Sequence, residues 1–121
     1  MTAWRLSILA ERQMEHLLGV SIRDYGTAHA RNYRDLILLA MDDVGADPTR
    51  FGAARIPRFA DIWEYQLRHS KDRAPRGQRI RVPWHKLIYR PLPDGTVEIL
   101  AIVGRSYPSS RAARQAERNT G

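Results

Sequence analysis

Five side chains in the second half of the chain have types and spacing suited to work on an anion. In the run His85-Lys86-Leu87-Ile88-Tyr89-Arg90, apolar and polar residues mix as in a strand. Period two then puts Lys86 and Arg90 on one face and His85 on the other. Arg105 and Tyr107 follow the next apolar run, which a hairpin would fold back beside the first. Lys86, Arg90, Arg105 and Tyr107 can therefore form a cluster. Its cations would hold a phosphate and stabilise charge developing on it. Tyr107 could move a proton, and so could His85, whose side-chain type titrates near neutrality. A plainer role stands beside this one. Cations at strand ends are often only solvated, and a single histidine before an apolar strand is often a structural hydrogen bonder.

The remaining chemistry is sparse. His16, His29 and His69 have no metal-ligand spacing, and cysteine is absent, so no thiolate site or disulfide can form. No glycine-rich phosphate loop or carboxylate pair is evident, and neither metal nor cofactor is expected. Lys71, Arg73, Arg76, Arg79 and Arg81 form the densest basic stretch, suited to nucleic acid or an acidic protein, or simply to solvent. Trp63, Tyr65 and Trp84 could stack on bases, fill the core, or lie under a partner.

The charge is uneven. The net is +7 over 121 residues, and the basic excess lies entirely beyond residue 49. Such a half-chain predicts an acidic partner, although basic surfaces also serve solubility. The length suits one domain with a limited core. The longest apolar run, Leu36 to Met41, is too short to cross a bilayer. The first residues do not read as a signal peptide.

These residues need elements to position them. Trp4 to Leu9 alternates as a strand. From Ala10 to Tyr25 the period becomes helical, with Met14, Leu17, Leu18, Ile22 and Tyr25 on one face. Gly26 ends that helix and Thr27 is a suitable N-cap for a second. The second helix carries Tyr33, Leu36, Ile37, Ala40 and Val44 on one stripe and closes at Gly45. Residues 46–61 read as a connector broken by Pro48, Gly52 and Pro57. Strands follow at Ile62–Arg68, Trp84–Arg90 and Thr96–Val103, the last two joined by an Asp94-Gly95 turn. The order β-α-α-β-β-β predicts an α+β fold, with an N-terminal helical hairpin packed on a mostly antiparallel four-stranded sheet. Residues 109–121 lack large apolar side chains and are expected as a basic tail, mobile or a short fraying helix. In the last strand Val97, Ile99, Ala101 and Val103 alternate with Leu100 and Ile102, so both faces are apolar. Either Phe51, Ile56 and Phe59 of the connector cover the second face, or it is left for a partner.

Across residues 4–107, this order and several short motifs resemble the RelE/ParE superfamily of toxins from bacterial type II toxin–antitoxin pairs. The matching residues are Tyr25-Gly26, Tyr33 with Leu36, Pro48 with Gly52, and above all His85-Lys86-Leu87-Ile88-Tyr89-Arg90, Asp94-Gly95 and Val97-Glu98-Ile99. The resemblance implies a cytoplasmic, growth-inhibiting toxin spanning residues 1–108, neutralised by an acidic antitoxin. Complexes with that antitoxin can be oligomeric. The ParE-like branch poisons DNA gyrase without being an enzyme. The RelE-like branch cuts mRNA on the ribosome. In the second case Lys86, Arg90, Arg105 and Tyr107 would be the catalytic set, with Arg105 on the cleaved phosphate. Val103-Gly104-Arg105 is similar to the RelE-like ending. Ala101, Gly104, Tyr107 and Pro108 depart from the ParE-like one. The general organisation favours ParE. Trp63, Tyr65, Leu100 and Ile102 are the expected partner surface, and the Lys71–Arg81 stretch is the expected nucleic-acid or antitoxin contact.

Overall fold

The computed structural model describes residues 3–120 and is α+β. Strand β1 (Trp4–Leu6) leads into helix α1 (Ile8–Tyr25), which is followed by α2 (Thr27–Ala46), β2 (Ala53–Arg55), β3 (Trp63–Gln66), β4 (His85–Pro91), β5 (Val97–Gly104) and α3 (Ser109–Thr120). The sheet has five strands in the order β1-β5-β4-β3-β2. All neighbours are antiparallel except β1 and β5, which run parallel.

The helical hairpin forms as its pattern predicts. Ser7 stops β1 earlier than expected, because its hydroxyl caps α1 by accepting from the Ala10 N–H at 3.1 Å. Gly26 has φ +92° and joins the two helices. It also stands at the N-cap of α2 with no side-chain bond, so Thr27 is the first helical residue rather than the cap. Leu36, Ile37, Ala40, Met41 and Val44 of α2 are buried against the sheet, and Leu17 and Leu18 of α1 pack partly buried at the side. Ile22 and Tyr25, predicted on the inner stripe of α1, are exposed at 50% and 71%.

Two elements correct the expected order. The connector contains β2, an edge strand paired with β3 through Ala53↔Tyr65 and Arg55↔Trp63, which makes the fifth strand. The expected tail is helix α3, with Ala112, Ala113 and Ala116 each at most 1% exposed. Alanine is the best helix former and brings a helix backbone close to a sheet. This face covers Ile88, Leu100, Ala101 and Val103, with Ile56, Phe59, Ile62 and Tyr107 completing a second core. Phe51, expected to help there, is 90% exposed. The sheet is thus sandwiched between α1–α2 and α3.

A bulge changes the faces of β5. Ile88 pairs with Ala101 but Tyr89 pairs with Ile99, so Leu100 is the extra residue. Before the bulge Val97 and Ile99 face the hairpin; after it the parity inverts, Ile102 facing the hairpin and Ala101 and Val103 facing α3. The free edge of β5 beyond β1 is met by the side chains of Ser7 and of Gln13 in α1. Ser7 donates to the Leu100 carbonyl at 3.0 Å, and the Ile102 N–H donates to Gln13 Oε1 at 2.8 Å.

Candidate functional site

The four residues of the expected cluster sit in different surroundings. Lys86 and Arg90 do share a face of β4, but each has an internal partner. Lys86 is 5% exposed, and its Nζ donates to Ser109 Oγ at 2.6 Å beneath the start of α3. Arg90 lies about 13 Å along the strand, where its guanidinium pairs with Glu98 at 2.8 Å. Arg105 is exposed, with its guanidinium 4.0 Å from the centre of the Trp84 ring. Tyr107 is half-buried against the second core.

The expected partner surface is largely interior. Tyr65, Leu100 and Ile102 are at most 3% exposed: Leu100 lies under α3, and Tyr65 and Ile102 under the hairpin. Trp63 is half-buried, its indole N–H donating to Asp61 at 3.0 Å. Tyr65 instead anchors a polar node that nothing in the sequence marks. Its hydroxyl lies 2.8 Å from Ser70 Oγ, which donates to the buried Asp43 carboxylate at 2.6 Å. Arg50 at 3.1 Å and Arg73 complete the carboxylate's partners.

The basic stretch is in part structural. Arg73 is spent on Asp43, Arg79 donates to the carbonyls of Ala74 and Asp72, and Lys71 donates to the Arg81 carbonyl. Buried or loop carbonyls need such donors, so these side chains order residues 70–81 around three short 3₁₀ turns. Arg76 and Arg81 remain exposed without such a bond.

The surface that the fold does leave open lies at the far end of the helical hairpin. Leu17, Val20, Ser21 and Tyr25 of α1, His29 and Tyr33 of α2, and Ile80, Arg81, Val82, Trp84 and His85 line a groove of about 290 Å³. Tyr25, His29, Tyr33 and His85 form a chain of ring contacts with centroids 4.9, 6.2 and 5.5 Å apart. Val82 and Trp84 stand 48% and 55% exposed at its rim, beside Arg81. Tyr33 organises the groove. The Trp84 N–H donates to its hydroxyl at 3.0 Å. The same hydroxyl is hydrogen-bonded to His85 Nδ1 at 2.6 Å. Burial lowers the His85 pKa and pushes that of Tyr33 up to about 12. The sequence placed His85 opposite Lys86 correctly. It gave no sign that Tyr33, 52 positions earlier, is the partner of His85.

No protein-family model matches the chain, and no curated protein matches it. Among the described residues no group of histidines and carboxylates could hold a metal ion, and no helix is long and apolar enough to cross a membrane.

Proposed function

We propose that the protein is the toxin of a type II toxin–antitoxin pair, acting by binding DNA gyrase rather than by cutting RNA. The motif series from Tyr25-Gly26 to Val97-Glu98-Ile99, carried on a helical hairpin and an antiparallel sheet, supports the toxin reading. Fold alone does not assign an activity, and the choice between targets rests on one observation. The groups that RNA cleavage would need are bonded elsewhere: Lys86 to Ser109, Arg90 to Glu98, and Arg105 stacked on Trp84. What stays open is a binding surface, the Tyr25–His29–Trp84–His85 groove with its apolar rim. An acidic antitoxin would hold the toxin through its exposed cations and apolar residues.

Purified protein freed of its antitoxin separates the targets. With gyrase and supercoiled DNA, cleaved DNA complexes should accumulate, while ribosomes programmed with mRNA should leave the message intact. A-site cleavage that disappears in Lys86→Ala and Arg105→Ala would transfer the assignment to the endoribonuclease class. In that class, losing one cation would cost about a hundredfold in rate.

A further inference from the structure

The outer face of α3 is strongly basic, and the toxin reading makes no use of it. Arg111, Arg114 and Arg118 are all exposed on a helix whose alanines are buried, and Glu117 is its one acid. Arg111 and Arg118 line a shallow trough of about 340 Å³ with Tyr107 and Gln115. The Arg111 guanidinium stands 5.9 Å from the centre of the Tyr107 ring. Arg111 also occupies the first turn, which holds no acidic residue. A cation there works against the helix dipole, so helix stability does not explain it.

We propose that this face binds the phosphate backbone of a nucleic acid. Guanidinium groups grip phosphates in two-pronged fashion and remain charged at every physiological pH. From Arg111 to Arg118 the helix rises about 10 Å, a length over which one strand of a duplex advances about three phosphates along the helix axis, at about 3.4 Å of axis each. The half-buried Tyr107 ring beside Arg111 adds the aromatic surface that backbone-tracking grooves use. A membrane surface fits less well, since interfacial helices insert large apolar side chains and the outward residues of α3 include none. The proposal holds whichever target the toxin acts on.

The test is fluorescence anisotropy of the full chain with a short labelled DNA duplex across a salt series. Three phosphate contacts contribute about 2.7 to the slope of log affinity against log salt. Arg111/Arg114/Arg118→Ala should remove that part. The advantage of wild type over the variant should then shrink about fortyfold from 50 to 200 mM salt. The same three positions changed to Lys keep the charge and should keep the slope. A single-stranded probe should show a loss of about 2.1 instead. Two-dimensional NMR of the wild-type chain provides a check independent of any variant's folding: added duplex should shift amide signals of residues 107–118. Equal slopes for wild type and the alanine variant, shifts confined to residues 71–81, or tighter binding to anionic vesicles or polyglutamate than to DNA at matched salt would each overturn the proposal.

Discussion

Tyr33 holds one end of the open groove together through two hydrogen bonds. Tyr33→Phe removes both and leaves the Trp84 N–H and the His85 ring without their partner. The variant should lose about 1–3 kcal/mol in urea unfolding at neutral pH. His85 also has a signature in acid. Burial holds the His85 pKa below its ordinary 6.5, so between the two values the unfolded chain binds more protons than the folded one. Stability is then full above the unfolded pKa and is lost as pH falls through 6.5 towards the folded value. His69 adds in the same direction, its pKa lowered by burial and then by Arg68 and Arg50. Thermal unfolding from about pH 7 down to about pH 5 should show a falling midpoint, with a smaller fall in His85→Gln. A midpoint that rises in acid would contradict the lowered His85 pKa. From the sequence, period two alone fixed the opposite directions of His85 and Lys86. The partners of both could not be read, because Tyr33 and Ser109 lie far away in the chain.

At the scale of elements, what was legible followed apolar spacing. The α2 stripe from Tyr33 to Val44 and the Asp94-Gly95 turn, with Gly95 at φ +91°, stand where the residues put them. Two features escaped, and the docked helix α3 was read only as a mobile tail or a short fraying helix, for physical reasons. β2 is Ala-Ala-Arg, poor in the branched and aromatic residues that mark strands. The bulge at Leu100 is unmarked by glycine or proline, and its inversion of the β5 faces is a matter of register. Among its described residues α3 buries the methyl groups of Ala112, Ala113 and Ala116, so its composition reads as polar. Packing shows otherwise: Ala113 is fully buried against β4 and β5. Ala113→Leu should overfill this layer and cost about 1–3 kcal/mol, read by urea unfolding. A loss within about 0.5 kcal/mol, typical of surface changes, would mean that α3 does not stay docked.

Over the whole molecule, charge and strand order matter most. With a net charge of +7, association with an acidic antitoxin should be steered electrostatically. Stopped-flow association rates should fall by at least about tenfold from low to high salt, and a flat salt response would remove the acidic partner from the proposal. The parallel pairing of Trp4 with Val97 and Leu6 with Ile99 also sets an order of events during synthesis. The first strand leaves the ribosome with no neighbour and waits for residues more than ninety positions later. At roughly 5–20 residues per second, that wait lasts on the order of 5–20 s. The hairpin α1–α2 can form early from local contacts, but its sheet cannot close until β5 arrives. Contacts this distant in sequence are also the slow ones to form. Nascent chains therefore carry an unfinished fold until β5 has been made, and under the proposed toxin function a co-synthesised partner would have those seconds in which to meet it.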